Sequence, residues 1–382
     1  MLLLLTLTRP GHAQRLLDFA YTDSLTHALL DQRRYVALDS VGQVALGLGA
    51  DYPALRRRLG AGALASGHPA AALRYYGPAL HENPLDVDAR IGLATAYLAL
   101  NRPGPAALVS GALSDSLRRA LGLPGRRAVV STELEASVLS TAEQRRGTAS
   151  YGRLGVSSRL SARLSLSQHV SYYAQTVEQP RPGSPGAVEK HDISQGQYSA
   201  LLSGQLTPQW QVKAGYNYIT PDLGHNHLGY LALAYARPQL TVQAGLYAGV
   251  ITDTARTQAD LRLTVYPLGN LNLYGFGRGS VVSTSGQGYT NVLLGAGGRL
   301  RPWLWAEAWG CAGLVPVLAE ADGTYVYNLL DPLRRRAAAS LLILAPRHAS
   351  VHLVYGMEQR SITRLNLDYT LHLFSAALTW TW

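Results

Sequence analysis

The charged and histidine side chains of the second half of the chain are the groups best suited to chemistry, and they recur at alternate positions. Alternate residues of an extended segment point to one face, so one side of a sheet would collect them. The candidate set is Glu133, Glu135, Arg153, Arg159, Arg163, Lys213, Asp260, Arg262, Arg278, Arg299, His352, Asp368 and His372. Burying an ion is costly unless it is paired or hydrated. The set therefore predicts either a salt-bridged face that fills and rigidifies an interior, or a wet, arginine-lined path for a polar or acidic polymer.

Patterns that would indicate catalysis or a metal ion are weak. His225-Asn226-His227 places two imidazoles on one strand face, but no carboxylate cluster accompanies them. The sequence shows no Gly-x-Ser-x-Gly turn. The glycine-rich stretch 275–279 lies within an alternating segment, not between a strand and a helix. We therefore predict no enzyme, no metal site and no cofactor, and keep a barrel-rim lipid or acyl hydrolase as a less favoured alternative.

The composition limits the class of protein. Of the 382 residues, 47% are hydrophobic and 15% are charged, against about 25% charged residues in an average soluble domain. No stretch reaches the roughly 20 apolar residues of a membrane-spanning helix. This combination is typical of a membrane β-barrel. Cys311 is the single cysteine, so no intramolecular disulfide and no cysteine-based metal motif is expected.

The net charge of the chain is +10. A basic balance suits an anionic lipid surface or an anionic polymer. The sequence contains no nucleic-acid-binding motif, so we expect no nucleic-acid partner.

The last nine residues are the strongest indication of fold. Phe374, Leu378, Trp380 and Trp382, together with Ala376, occupy every second position, and the chain stops on an aromatic residue. A final strand of this kind closes bacterial outer-membrane β-barrels, whose outward apolar band is flanked by aromatic girdles. The sequence thus predicts a transmembrane barrel in the outer membrane of a Gram-negative bacterium.

Turn residues divide residues 126–382 into about fourteen alternating segments. The segments begin near Ala128, Thr148, Ala162, Ser194, Gln209, His227, Gln239, Arg256, Asn270, Tyr289, Trp303, Tyr325, His348 and Arg364. Six tight turns, five of them containing proline, alternate with longer connections, the longest being Pro180 to Ile193. Short turns at one end and longer loops at the other are typical of a transmembrane barrel, with the short turns periplasmic. A soluble β-sandwich, the alternative fold, explains the alternation but not the paired turn lengths.

The face of each segment follows from its apolar residues. The candidate charged set would line the lumen, and fourteen strands leave more interior than eight, which side chains alone can fill. In the last segments, residues 365, 367, 369, 371 and 373 are predicted to face lipid, and Asn366, Asp368, Thr370 and His372 the lumen. This requires a bulge between Leu373 and Phe374. Tryptophans 303, 305 and 309 suit a girdle near the short turns, although Glu307 shares their face: either they line the lumen or Glu307 faces lipid.

Residues 15–123 have helical periodicity and a repeat pattern. Leucine, small, aromatic and proline residues match the spacing of a tetratricopeptide unit at Leu59, Gly60, Gly67, Ala72, Tyr76, Ala79 and Pro84. A shift of 34 residues gives a partial second match, with Tyr97 at an aromatic position, and a weaker unit precedes at 22–51. Three helix pairs are therefore predicted, against the alternative of a generic helical bundle. Arg56, Arg57 and Arg58 would form a solvated face or bind an acidic partner in the groove.

The chain is predicted to have three parts. An apolar run at residues 2–7 and the small residues of Gly11-His12-Ala13 indicate a signal peptide, residues 1–13, cleaved after Ala13. The helical domain covers residues 15–123 and the barrel residues 126–382, with the break at Leu123-Pro124-Gly125, because proline and glycine end a helix.

Residues 263–275, LTVYPLGNLNLYG, form a strand, a Pro-Leu-Gly-Asn turn and a strand. With the helical repeats and the aromatic terminus, this resembles the YaiO-type outer-membrane barrels that carry an N-terminal tetratricopeptide segment. More distantly, the layout is similar to exopolysaccharide-export porins that join a periplasmic repeat scaffold to a barrel, although those have many more repeats. The resemblance supplies no catalytic residues.

The expected fold is therefore a short helical solenoid in the periplasm followed by an antiparallel barrel of about fourteen strands. The expected function is passage or export of a polar polymer such as exopolysaccharide. The alternative is a structural or assembly anchor that recruits envelope partners through its repeat domain. The expected partners are outer-membrane lipid, the barrel-assembly machinery, an envelope protein in the repeat groove and a polysaccharide cargo.

Overall fold

The computed structural model describes residues 18–180, 188–220, 226–346 and 348–382. The chain divides into two compact units, a helical one that ends at Gly125 and a β-sheet one that begins at Arg126. The predicted signal peptide, residues 1–13, lies outside the described residues.

The helical unit contains seven described helices, which form three pairs and a final short helix. They are α1 Phe19–Asp31, α2 Tyr35–Gly47, α3 Pro53–Ala65, α4 Pro69–Glu82, α5 Val87–Ala99, α6 Pro103–Ser110 and α7 Asp115–Ala120. Proline occupies the first turn of α3, α4 and α6, where its missing N–H has no intrahelical partner to lose. The side chains of Asp18, Asp86 and Ser114 accept hydrogen bonds from free N–H groups at the starts of α1, α5 and α7. No described helix is long and apolar enough to cross a membrane.

Tyr76 is the residue around which three helices pack. Its ring lies against Gly60 of α3 and Gly92 of α5: a Cβ at Gly60 would sit 2.7 Å from the ring, and one at Gly92 would overlap it. Leu59, Ala72 and Ala79 of the predicted repeat are buried, whereas Pro84 is exposed between α4 and α5. Small residues therefore let the helices approach, as expected for this repeat.

The three consecutive arginines of α3 each form an ion pair with an aspartate of the same unit. Arg56 pairs with Asp51, Arg57 with Asp86 and Asp88, and Arg58 with Asp23. Two of the three guanidinium groups are largely buried in these pairs, Arg56 at 18% and Arg58 at 16% exposed. This favours a role in joining helices over binding an acidic partner.

The second unit is a closed antiparallel barrel of fourteen strands in sequential order. The strands are β1 Arg127–Thr141, β2 Arg146–Arg159, β3 Leu164–Pro180, β4 Val188–Gln205, β5 Trp210–Thr220, β6 Asn226–Arg237, β7 Leu240–Ile251, β8 Thr254–Val265, β9 Leu273–Thr284, β10 Gln287–Arg301, β11 Leu304–Glu320, β12 Tyr325–Ala345, β13 Ala349–Ile362 and β14 Leu367–Thr381. β14 pairs with both β13 and β1, so the final strand closes the ring. The predicted fold class and strand number are confirmed.

The predicted difference in length between the connections at the two ends of the barrel is not seen in the described residues: the β8–β9 connection at one end has seven residues, and the β1–β2 and β13–β14 connections at the other end have four each. All six predicted tight turns join an even-numbered strand to the next odd one, so they share one end, the short-turn end. At the other end, β7–β8 and β9–β10 are joined by only two residues each, Thr252-Asp253 and Ser285-Gly286. All four have positive φ, the backbone of a type I′ hairpin turn. The expected longer connection is therefore absent from these two described hairpins.

The two faces of the wall differ as a membrane barrel requires. In β7, Leu246 and Val250 are exposed on the outside, while Gln243, Tyr247 and Ile251 are buried inside. The exposed aromatic and apolar residues of β14 that the sequence predicted, Phe374, Leu378, Trp380 and Trp382, are on the outer face. A closed ring satisfies the backbone groups of every strand, and with an apolar exterior this suits a lipid environment.

The predicted bulge between Leu373 and Phe374 is wrong. The register of β14 is continuous through this point on both neighbours, with Leu373 opposite Gly356 and Phe374 opposite Tyr355. The apolar residues of the first half of β14 face inward, where Tyr369 and Leu371 are buried in an apolar cluster. The parity changes because the lumen is itself apolar at that level.

Candidate functional site in the barrel lumen

The far end of the β11–β12 hairpin leaves the barrel wall. β11 pairs with β10 only up to Ala312, although β10 continues to pair with β9 as far as Gln287. β12 pairs with β13 only from Leu333 onward. Between these points β11 and β12 remain paired with each other and turn at Ala321–Gly323. We call residues 313–332 the inner hairpin.

Gly313 is where β11 departs from β10. Its φ is +135°, and a Cβ there would overlap the carbonyl oxygen of Thr290. The register of β11 with β12 shifts between Ala312 and Val315 and again before Val317. Bulges of this kind bend a strand, so a glycine and two irregularities redirect the hairpin.

The tip of the inner hairpin binds the opposite wall. The Asp322 carboxylate accepts hydrogen bonds from Lys213 Nζ at 2.6 Å, Gln243 Nε2 at 2.8 Å and Tyr230 OH at 2.9 Å. Arg262 Nη1 lies 3.7 Å from the same carboxylate. These partners belong to β5, β6, β7 and β8, and β5 is seven strands from β12 in the ring of fourteen. The hairpin therefore crosses the lumen.

Backbone groups of the inner hairpin are held by side-chain amides of the wall. Gln258 of β8 both donates to the Ala319 carbonyl at 2.8 Å and accepts from the Ala319 N–H at 2.9 Å. Asn217 Nδ2 of β5 donates to the Gly323 carbonyl at 3.1 Å. The wall thus supplies the partners that a strand outside the ladder would otherwise lack.

An apolar cluster completes the contact with the opposite wall. It joins three hairpin residues to β5–β7 and consists of Ile219, Leu228, Tyr230, Tyr247, Ile251, Val317, Ala319 and Val326. The hairpin is therefore packed on one wall through apolar contacts and anchored at its tip through a charged group.

A buried charge network holds the β11 arm of the inner hairpin next to its tip. Glu320 lies 2.6 Å from Arg278 of β9 and 2.7 Å from Arg336 of β12. Glu358 of β13 is fully buried, accepts from Arg360 Nε at 2.9 Å and lies 3.6 Å from Arg336. Because each carboxylate meets two guanidinium groups, the network is compensated in charge.

A second buried ion pair holds the returning arm. The Asp331 carboxylate accepts from Arg146 Nε at 2.5 Å and Nη2 at 2.9 Å, and from Tyr369 OH at 2.8 Å. The two ionic side chains are only 4% and 6% exposed. This bidentate pair fixes the arm to β2 and β14.

Most of the charged set predicted from the sequence is placed on the inner face of the barrel. Its inward members are Glu133, Glu135, Arg153, Arg159, Lys213, Asp260, Arg262, Arg278, Arg299 and His352. The structure pairs some of them across the wall: Arg153 lies 3.7 Å from both Glu133 and Glu135. Arg299 is exposed to the open part of the lumen.

Three residues of the predicted set lie elsewhere. His372 faces outward, where its ring is 3.0 Å from the Tyr355 hydroxyl, and Asp368 is exposed and pairs with Arg334. Both follow from the wrong parity predicted for β14. Arg163 lies in the β2–β3 turn, one residue before β3 begins, and donates to the Leu206 carbonyl.

The sequence left open whether the tryptophans near Glu307 line the lumen or Glu307 faces lipid, and the structure decides this. Trp305, Glu307 and Trp309 face the lumen together, and Tyr274 OH donates to Glu307 at 3.0 Å. Trp303 is exposed near the short turn. His225 lies outside the described residues, and His227 is on the outer face beside Tyr216.

The inner wall also brings a serine and a histidine together. Ser199 Oγ lies 3.5 Å from His169 Nδ1, in mid-strand on β4 and β3 and not at the rim. Within the described part of the chain, no ion pair joins His169 to a carboxylate and no group of three His, Cys, Asp or Glu side chains could hold a metal ion.

The residues that hold the inner hairpin were missed by sequence reasoning, with the exceptions of Lys213, Arg262 and Arg278. Asp322 and Asp331 lie in a stretch interpreted only as a connection and a strand. The one available signal is local: Ala321, Asp322 and Gly323 all have positive φ, and Ala-Asp-Gly is a typical turn sequence. Nothing local indicates that the turn is folded inward.

Comparisons with known proteins give one family model that matches part of the helical unit, and distant similarity to solved structures. Residues 63–109 match the family model "Tetratricopeptide repeat". No curated protein matches the chain. Similar solved structures include "TodX deltaS2S3 mutant monoaromatic hydrocarbon channel", with 11% identity over 72% of this chain and 94% of that one and a TM-score of 0.46.

Two further solved structures are similar at the same level. "Crystal structure of a Pseudomonas aeruginosa FadL homologue" has 10% identity, covers 75% of this chain and 98% of its own, and has a TM-score of 0.44. "Bacterial polysaccharide outer membrane secretin" has 11% identity, 67% and 99% coverage, and a TM-score of 0.42. Likeness this distant carries no argument about cargo.

Proposed function

We propose that this protein is a gated outer-membrane channel for a polar polymer such as exopolysaccharide, and that the inner hairpin is its gate. We base this on one observation: the hairpin crosses the lumen, and the Asp322 carboxylate at its tip is bound by polar side chains of the opposite wall. The short-turn end would face the periplasm, together with the helical unit.

A polar anchor suits a gate better than it suits a permanent plug. The contacts of Asp322 are hydrogen bonds and ion pairs that water can replace when the tip moves away, so little is lost on opening. A wall with glutamates, arginines and amides is wettable once exposed. The apolar cluster beside the tip opposes opening and would keep the resting channel closed.

Single-channel conductance tests the proposal. Purified protein in planar bilayers is expected to open rarely. Asp322→Ala should open more often, because Lys213 and Gln243 lose their common partner. Replacement of residues 316–327 by a short Gly-Ser turn should give a steady open pore. Asp368→Ala, which removes an exposed outer ion pair, is the matched control and should behave as the parent.

A folded barrel that does not conduct would contradict the channel. Each variant is first checked for a folded barrel by its heat-dependent migration in gel electrophoresis. A shortened-hairpin variant that folds and still does not conduct contradicts passage through the lumen. A conducting pore that excludes every polysaccharide in vesicle efflux assays contradicts the polymer cargo.

The anchor alternative is favoured by a separate observation, the tetratricopeptide match at residues 63–109. Such repeats stack to form binding surfaces. A Lys213→Cys, Asp322→Cys pair, oxidised to lock the hairpin, separates the two functions in cells that express the protein. Loss of exopolysaccharide export on locking supports the channel; unchanged envelope function with a locked lumen supports the anchor.

A further inference from the structure

Four aromatic side chains point inward from β9 and β11, the two strands that flank β10. Tyr274 and Phe276 belong to β9, and Trp305 and Trp309 to β11. The Tyr274 and Phe276 rings are nearly parallel, 27° apart, with centroids separated by 6.3 Å. We call these four residues the aromatic platform.

Glycines of the intervening strand β10 make the platform flat. Gly297 is opposite Tyr274 and Gly295 opposite Phe276. A Cβ at Gly297 would lie 2.5 Å from the Tyr274 ring, and one at Gly295 would overlap the Phe276 ring. The outer ends of both rings therefore lie over the glycine positions of β10.

The platform differs from the other inward aromatic residues. Tyr230, Tyr247 and Tyr369 are buried in apolar clusters near the inner hairpin. All four platform residues are only half-buried, and none belongs to an apolar cluster of the described residues. Core packing explains the first group. On the platform, Arg336 covers the Trp309 ring, and no apolar cluster of the described residues includes the other three rings.

Polar groups border the platform at the height of its rings. Glu307 lies between the two tryptophans and accepts from Tyr274 OH at 3.0 Å. Arg299 is directly opposite Trp305 on β10 and is exposed. One carboxylate and one guanidinium group thus stand beside apolar ring faces.

We propose that the aromatic platform is a binding surface for a chain of uncharged pyranose units. The C–H faces of such rings pack on aromatic rings, whose faces carry partial negative charge. Hydroxyl groups at the ring edge would donate to Glu307 and accept from Arg299. A purely apolar ligand would desolvate both ions without replacing their hydrogen bonds. An acidic sugar would meet the Glu307 carboxylate.

The proposal deepens the proposed function, because the platform begins at the short-turn end and leads to the inner hairpin. Trp305 is the second residue of β11, next to the short turn, and Trp309 lies four residues further in. Arg336, which holds Glu320 of the hairpin, stands 4.7 Å over the Trp309 ring. A polymer that enters from this end would meet the platform before the gate.

Isothermal titration of the detergent-solubilised protein with β-1,4-linked hexamers of glucose and of N-acetylglucosamine tests the surface. At least one hexamer should bind saturably, and glucose alone should bind far more weakly. Phe276→Ala and Trp305→Ala should each weaken binding about tenfold, the size of a lost stacking contact. Tyr274→Phe keeps the ring and should lose less.

Phe374→Ala removes an exposed aromatic residue from the outer face and is the matched control. Absence of saturable binding of both hexamers at about 10 mM overturns the proposal. So does equal weakening by Phe374→Ala and the platform variants, each first shown to fold by heat-dependent migration.

The two proposals fail separately. Binding that depends on Phe276 without conductance in the shortened-hairpin variant contradicts passage and leaves the surface intact. Conductance without hexamer binding, or with block by the hexamer that Phe276→Ala does not relieve, contradicts the platform and leaves the channel intact.

Discussion

Single carboxylates decide how the lumen is organised. Glu320 and Glu358 each lie beside two guanidinium groups, Asp331 forms an ion pair with Arg146, and Glu358 is fully buried. A buried pair contributes little net stability over apolar residues of the same size, whereas removing one partner leaves an uncompensated ion. These ion pairs are therefore best understood as fixing the position of the hairpin in the lumen.

Glu358→Ala is expected to destabilise the barrel by about 3–5 kcal/mol, because Arg360 and Arg336 then remain buried beside a cavity. Urea unfolding in lipid vesicles, followed by tryptophan fluorescence, measures the loss. Asp368→Ala breaks the half-exposed pair with Arg334 and should cost less than about 1 kcal/mol. Equal effects of the two substitutions would show that burial of Glu358 is energetically unimportant.

Residue identities predicted the inner face well where one face of a strand is apolar and the other polar. In β1 and β2 the charged residues alternate with Leu134, Val138 and Leu154, which are exposed to lipid. In β14 the rule failed, because Tyr369 and Leu371 pack inside against Leu139 and Ile362. Where the interior is apolar, the two faces of a strand carry similar side chains. Alternation alone then does not show which face is inside.

Glycines set the paths of individual elements. Gly313 permits the bend that takes β11 off the wall, and Gly60 and Gly92 admit the Tyr76 ring between helices. In both places the absent side chain makes room for a neighbour, which no local periodicity reveals. Sequence reasoning predicted the helical case through the repeat pattern and missed the hairpin, whose polar partners include residues of β2, of β5 to β9 and of β14.

Gly313→Ala should destabilise the inner hairpin by about 2 kcal/mol or more, because φ of +135° is unfavourable for alanine and the Cβ overlaps the Thr290 carbonyl. The expected results are a lower urea midpoint and more frequent channel opening. Gly279→Ala, with open space around its Cβ on the outer face of β9, is the control and should change stability by less than about 0.5 kcal/mol. An unchanged midpoint for Gly313→Ala would mean that the bend tolerates a side chain.

Gly92→Ala should destabilise the helical unit by about 1–3 kcal/mol, since the added methyl group overlaps Tyr76 in a packed core. Gly47→Ala, at the exposed end of α2 with open space around its Cβ, should instead stabilise it slightly through helix propensity. Thermal loss of the helical circular dichroism signal measures both. Opposite signs for the two substitutions are the expected result, and destabilisation by both would point to propensity-independent strain in the repeat.

For the whole molecule, repeated features were enough to predict the architecture. Fourteen alternating segments and an aromatic final strand agree with one another, so the error in the predicted connection lengths did not matter. The lumen was not predictable in the same way, because its contents come from residues far apart in sequence: Asp322 meets Lys213, and Asp331 meets Arg146. Global regularity specifies the wall, and long-range contacts specify what the wall encloses.

The helical unit should lose stability in alkali. Burial raises the pKa of Tyr75 and of Tyr76 to about 12 in the helical unit, and Tyr75 in addition donates to Asp39. The unfolded chain loses these protons near pH 10. Between about pH 10 and pH 12 the folded state holds more protons, so its stability falls as pH rises, by about 1.4 kcal/mol per unit for each tyrosine.

The helical circular dichroism signal reports this unit, because all described α-helices lie within residues 18–125. The urea midpoint of that signal should be constant up to about pH 9 and fall above pH 10. The Tyr75→Phe, Tyr76→Phe double variant removes both ionisable hydroxyls and should show a much shallower fall. A parental midpoint that stays level to pH 12, or a double variant that falls as steeply as the parent, would show that these phenols do not control the alkaline stability of the repeat unit.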